Sequence, residues 1–361
     1  MSESSKMNFH ELMSLYKGYN DTIDALYRLR TTNEEILDKI CNDIKNNLID
    51  TKYLLPSYIL DTISFASRCN NRYLKSYWYI FKKIYEEYRP DHINDFLYGF
   101  DYFVYKEYGI WLNEENKISP ERIESENFSL EVVKSDTIFE SIMNDNIETF
   151  TSFTEREEFD KNEVLVSPFF IDTTKPSLLE VCCYYGATKC FSLLREKFNS
   201  EITKRCLQFS ILNGNFGLVK ECLKAIEPDK ECMEYAILSH NIALVTFFMI
   251  EYKLTIEVFR CGEYHNLQAF FVYLDQTNDI KKCFIYSPVF NIPSLCKYFL
   301  SQGANIYDRS PTNKQTALHI AAYLNAVESA KFLITNDAAI NKKILMETHL
   351  YSLQQNIIQR K

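Results

Sequence analysis

Helix breakers are scarce in this chain: 8 glycines and 9 prolines among 361 residues. With so few, and no long alternating apolar runs, a mostly helical protein is favoured over a sheet-rich one. Long hydrophobic runs are missing as well. The strongest, Ile242 to Ile250, covers nine residues, against the roughly 20 that a membrane-spanning helix needs. The start, Met1-Ser-Glu-Ser-Ser-Lys, is polar and lacks the apolar core of a secretory signal. A soluble, cytoplasmic protein with no membrane partner is expected. Positive charge is not in excess: the formal net charge is −9, and basic pairs such as Lys281-Lys282 and Lys342-Lys343 are isolated. Without a basic stripe, no nucleic-acid partner is expected.

Catalytic signatures are absent too. There is no Gly-rich phosphate loop followed by Lys-Ser/Thr, no H-E-x-x-H and no G-x-S-x-G. Gly214-Asn-Phe-Gly217 reads as a turn between helices rather than a dinucleotide fingerprint. Glu34-Glu35 and Glu157-Glu158 read as a helix start and a solvated loop. The chain is therefore read as non-catalytic. An enzyme site assembled from distant side chains of residues 1–125 is the least favoured alternative.

The 11 cysteines include no C-x-x-C pair, and His240 and His265 complete no four-ligand set with them in the zinc-finger pattern. No metal and no cofactor are expected. Cys182, Cys183, Cys190 and Cys261 fit small packing positions of helices, as buried thiols in a reducing compartment.

What the chain does have is a repeat. Thr316-Ala317-Leu318-His319-Ile320-Ala321-Ala322 is followed by Lys331-Phe332-Leu333-Ile334 and Asp337-Ala338-Ala339-Ile340-Asn341. Tyr298-Phe299-Leu300-Ser301-Gln302-Gly303-Ala304-Asn305-Ile306 matches the second half, with Gly303 and Asp337 34 residues apart. Thr316 sits where its hydroxyl can accept from an unpaired N–H at a helix start. Leu318, Ala321 and Ala322 share one face, and the two alanines let the next helix approach. Asn325 supplies a turn that tolerates left-handed geometry. A second helix, Val327 to Thr335, buries Ala330, Phe332, Leu333 and Ile334. Gly303 ends the matching helix where positive φ is needed. His319 ties loop to helix through hydrogen bonds and is not read as catalytic.

The same frame recurs upstream. Ser177 to Gly186, Leu207 to Asn215, Tyr235 to Asn241 and Cys261 to Asn266 are each followed by an apolar helical pattern. Their turn residues Gly186, Gly214, His240 and His265 are 28, 26 and 25 apart. That leaves tight links only, so helix pairs without hairpins are expected from 174 to 280, with full loops at 303–315 and after 337. His240 and His265 read as exposed turn residues. Ile138 to Asn146, then Ile147, Phe150 and Phe153, would make the first unit, and 154–173 a loop packing back on it. Nearer the start, Thr32-Asn-Glu-Glu35 reads as a capping box before Ile36, Leu37, Ile40, Ile44 and Leu48. Pro56 opens another helix, and Asn70-Asn71 turns it into Tyr73 to Tyr88.

A period of about 33 with a T-P-L-H-x-A start is the ankyrin signature. The chain resembles the ankyrin repeat family, strongly over 290–341 and more weakly over 135–289. In particular it resembles expanded ankyrin proteins of anaerobic parasitic protists, which carry an uncharacterised helical domain ahead of their repeats. The resemblance implies an all-α helical solenoid of ankyrin-like helix pairs, with short hairpin loops only near the C-terminus. Gly303, Thr316, Leu318, His319, Ala321 and Ala322 would be its structural motif. It also implies a monomeric protein–protein interaction scaffold that binds a protein partner on its concave face. In this register the exposed first-helix positions are Tyr184, Tyr185, Leu212, Asn213, Leu238, Ser239, Glu263, Tyr264, Tyr323 and Leu324. Tyr307, Asp308 and Arg309 would form a hairpin tip. Tyrosine and arginine are enriched at binding hot spots. The alternative is a two-partner adaptor whose N-terminal helical domain docks to other machinery, with Trp78 and Trp111 as candidates.

The expected division is 1–125 helical domain of unknown function, 132–289 short degenerate repeats, 290–341 typical repeats and 342–361 an atypical tail. The acidic stretch 113–127, with Pro120, marks the first boundary. The tail departs from the repeat pattern after Asn341 and is read as a truncated array from a shifted reading frame, without the polar cap that such arrays need.

Overall fold

The computed structural model describes residues 7–93, 96–119, 122, 128–171, 175–336 and 338. The expected loop after 337 and the tail lie outside them. The fold is an all-α helical solenoid, with one isolated antiparallel bridge, Val164 to Ser177, among the described residues. None of its described helices is long and apolar enough to cross a membrane.

The first helices with described bounds are α1 (Phe9–Leu15), α2 (Lys17–Tyr27), α3 (Glu34–Ile44), α4 (Pro56–Cys69), α5 (Leu74–Tyr88) and α6 (Tyr98–Tyr108). The cap of α3 is Asn33 rather than Thr32: its side chain accepts from Glu35 N–H and Ile36 N–H. Leu37, Ile40 and Ile44 are buried at three- and four-residue spacing, while Ile36 falls outside that face and is exposed. Pro56 opens α4, where its missing N–H costs nothing.

Helix pairs follow: α7 (Ile138–Met143) with α8 (Ile147–Thr154), α9 (Leu178–Tyr185) with α10 (Thr188–Phe198), α11 (Lys204–Asn213) with α12 (Phe216–Leu223), and α13 (Lys230–Leu238) with α14 (Ile242–Glu251). Three more are α15 (Val258–Glu263) with α16 (Leu267–Thr277), α17 (Ile280–Tyr286) with α18 (Pro293–Ser301), and α19 (Ala317–Tyr323) with α20 (Val327–Thr335).

One device builds every pair. The turn residue is left-handed: Asp145, Gly186, Gly214, His240, His265, Asn291 and Asn325 all have φ between 46° and 80°. In four of the pairs the next N–H bonds back to a small residue of the first helix. Asn146 N–H reaches Ser141 O at 2.8 Å, Ala187 reaches Cys182 at 2.8 Å, Asn266 reaches Cys261 at 2.7 Å and Ala326 reaches Ala321 at 2.8 Å. Asn146, Asn215, Asn241 and Asn266 then cap the second helix with their side chains. The connection Gln302 to Thr316 is long, as the repeat spacing predicts.

The chain forms two compact units. The central unit comprises Asp24–Lys45 and Leu55–Leu254; the terminal unit comprises Met1–Ile23, Asn46–Leu54 and Thr255–Lys361. In the central unit the first helices α7, α9, α11 and α13 stack in order, and α4 and α5 pack together. In the terminal unit α15, α17 and α19 stack in order, with α1 against α16. Each unit thus joins N-terminal segments to repeats.

Candidate functional site

The first-helix face is where a partner is expected, so its side chains decide what can bind. In the central unit that face is closed. Tyr184 and Tyr185 end α9 and are only 3% and 5% exposed. The Tyr184 hydroxyl donates to Arg68 O at 2.8 Å and accepts from Asn71 N–H at 3.0 Å. The Tyr185 hydroxyl donates to Asn71 Oδ1 at 2.9 Å, and the Arg72 guanidinium lies 5.5 Å from its ring centre. Burial pushes both phenols well up, so they stay neutral donors.

The α4–α5 corner also holds the loop after α8. Asn71 Nδ2 donates to Phe169 O at 2.9 Å, and Arg68 donates to Phe170 O and Ile171 O at 2.5 and 2.6 Å. Phe170 packs on Tyr184, with ring centres 4.7 Å apart. The expectation that 154–173 packs back on the repeats is met by these residues.

The remaining candidates of this unit are held similarly. Asn213 is half-buried; its Nδ2 donates to Tyr184 O at 3.0 Å, and its carbonyl accepts from Arg30 at 2.6 Å. Leu212, Leu238 and Ser239 are buried, and Ser239 Oγ donates to Ala236 O at 2.8 Å. His240 is buried, not exposed. Its ring stacks on Tyr27 at 4.2 Å, and Nδ1 lies 2.6 Å from Asp24 Oδ1. The expected exposure of Tyr184, Tyr185, Leu212, Leu238, Ser239 and His240 is thus corrected: all six are buried, and N-terminal segments of the same chain hold Tyr184, Tyr185 and His240.

In the terminal unit the turn ends are covered and the helix face is more open. His265 Nδ1 lies 3.1 Å from the hydroxyl of buried Tyr19. Asn291 Nδ2 donates to Lys52 O and Tyr53 O at 3.2 and 3.1 Å, while its Oδ1 accepts from Ser329 N–H at 3.0 Å. Glu263 is exposed and paired with Arg260, and Tyr264 is half-buried. Tyr307 and Tyr323 are 44% and 55% exposed. Asp308 pairs with Lys281 at 3.4 Å, and Arg309 reaches Lys314 O at 3.4 Å. Leu324, Phe259 and Tyr286 lie half-buried against Ile285, Val289 and Ile320.

The motif residues pack together, but His319 bonds only to Thr316 at its own helix start, and its buried Nε2 has no partner among the described residues. Gly303 has φ 95°, and Leu318, Ala321 and Ala322 are buried. Thr316 N–H donates to His319 Nδ1 at 3.2 Å, and the Thr316 hydroxyl is 2.6 Å from the same nitrogen. Burial, and then the charge of Arg309, lower the His319 pKa to about 4. Trp78, an adaptor candidate, is buried; Trp111 is half-buried and stacks on Tyr105 at 5.0 Å.

Sequence reasoning missed the residues that close the face: Tyr19, Asp24, Tyr27, Arg68 and Asn71. The signal lay in 14 of 25 tyrosines falling before residue 126, and in the polar run Arg68 to Arg72 inside an aromatic stretch.

Comparison with known families places two matches on these elements. Residues 290–334 match ankyrin repeats (many copies), and residues 198–273 match a domain of unknown function (DUF3447). The ankyrin repeat domain of human ASB11 is a similar solved structure. It has 12% identity and a TM-score of 0.40, covering 55% of this chain and 97% of that domain. No curated protein matches the sequence.

Proposed function

For a chain that carries ankyrin repeats beside a domain of unknown function, we propose a non-catalytic scaffold that binds its protein partner in the terminal unit. Ankyrin repeats indicate protein–protein interaction, and the open question is which surface serves. The observation that carries our reading is the contrast in exposure. Tyr184 and Tyr185 are buried, whereas Tyr307 and Tyr323 stand 44% and 55% exposed. Glu263, Tyr264, Asp308, Arg309 and Leu324 belong to the same candidate set. Half-buried Phe259, Tyr286 and Leu324 give the apolar centre that hot spots need, and the Arg260–Glu263 and Lys281–Asp308 pairs give a polar rim.

The experiment is capture from native cytosol with the full chain and with a Tyr307→Ser, Tyr323→Ser double variant. A partner retained by the first and lost by the second supports the surface. Equal retention by both would move the binding site elsewhere.

A further inference from the structure

We propose that the extended segment Val164–Val166 is a docking edge for a partner peptide, which adds as a β-strand and carries apolar and basic residues in alternation. Leu165 N–H donates to Pro176 O at 2.9 Å, and Val164 pairs with Ser177 in the isolated bridge. In an extended chain, successive residues turn their backbone groups to opposite edges. Leu165 faces Pro176, so Val164 and Val166 face away. Neither makes a backbone hydrogen bond among the described residues.

The side chains divide in the same way. Leu165 is buried, whereas Val164 and Val166 are 40% and 70% exposed. Edge strands are usually blunted by lysine, proline or a covering element. Here two β-branched residues stand in water on an unpaired edge.

Beside the edge lies a cleft of about 560 Å³, with Phe139, Phe153, Phe159 and Leu165 in its walls. That volume falls in the range of binding clefts and admits the side chains of an added strand. The adjoining chain is acidic. Glu155, Glu157, Glu158, Asp160 and Glu163 make no ion pair among the described residues. Against them, Arg156 lies over the Phe153 ring at 4.1 Å and Lys161 is engaged by Phe198 O. Lys134 and Asp136 also line the cleft and offset each other. Free main-chain groups would supply affinity, the cleft would take alternate side chains, and the carboxylate excess selects a basic peptide.

The test uses the full chain and a labelled peptide of about six residues alternating lysine and valine, a typical strand length. Fluorescence anisotropy should show saturable binding, and hydrogen exchange at the Val164 and Val166 amides should slow. N-methylation of the peptide's pairing amides, Val166→Pro, and Glu158→Lys with Glu163→Lys should each weaken binding by about tenfold or more. The N-methylated peptide leaves the protein untouched, so the test stands even where Val166→Pro fails to fold. Three results would overturn the proposal: no binding at about 1 mM peptide, binding indifferent to N-methylation, or equal binding of a glutamate–valine peptide.

Discussion

Asn71 offers the sharpest perturbation of the sealed face. Its side chain is fully buried and serves two buried partners: it donates to Phe169 O at 2.9 Å and accepts from the Tyr185 hydroxyl at 2.9 Å. Asn71→Ala removes both bonds and leaves Phe169 O and the Tyr185 hydroxyl in the interior. Each orphaned buried group costs about 1–3 kcal/mol, so the pair costs about 2–6 kcal/mol. Total stabilities of about 5–15 kcal/mol make that a large fraction. Urea unfolding followed by tryptophan fluorescence isolates the effect, because both tryptophans, Trp78 and Trp111, belong to the central unit. With a slope near ~3 kcal/mol/M, the midpoint should fall by about 0.7–2 M. Asn162→Ala, on an exposed loop, should stay within about 0.5 kcal/mol of wild type. A midpoint change under about 0.3 M for Asn71→Ala would refute the reasoning.

Three further outcomes follow from the same physics. A Cβ on Gly262 would lie 2.0 Å from Val289 Cγ1, so Gly262→Ala should destabilise the terminal unit by about 1–3 kcal/mol, read by circular dichroism during urea unfolding. His319 is held neutral by burial, with its pKa lowered to about 4. The unfolded state therefore binds a proton first, and the contribution of His319 is complete above about pH 6.5 and lost as pH falls toward 4. The urea midpoint should drop between pH 7 and pH 4.5, and drop less in His319→Gln. Ten of the 11 cysteines are buried, and burial pushes half-buried Cys41 up to about 12. A maleimide at neutral pH should label the folded chain at one thiol or fewer and the unfolded chain at all of them.

Local chemistry was legible in the sequence, and long-range closure was not. The Thr316–Ala322 motif announced α19, and the helix expected over about Val327 to Thr335 matches α20, although its Phe332 and Ile334 are half-buried rather than buried. The turn spacing announced Gly186, Gly214, His240 and His265 as turn residues; that all four are left-handed, with φ between 51° and 80°, is a finding of the structure. Asn291 belongs to the same row, but its pair escaped notice because Ile280–Tyr286 lacks the double small-residue ending. The exposure of Tyr184 and Tyr185 was misjudged because repeat logic assumes an open first-helix face. Nothing periodic links Tyr185 to Asn71, 114 residues away. The contact is one polar side chain meeting one hydroxyl across the fold, and only the coordinates show the pair.

The central claim is that the central unit's first-helix face is closed, with its own N-terminal segments holding Tyr184, Tyr185 and His240, while the terminal unit's face is more open. Hydroxyl-radical footprinting of the folded full chain, read by peptide mass spectrometry, tests it most directly. The account predicts rapid modification at Tyr307 and Tyr323, and protection of Tyr184 and Tyr185 until urea unfolds the central unit. Modification of Tyr184 and Tyr185 in the folded chain as fast as that of Tyr323 would contradict it.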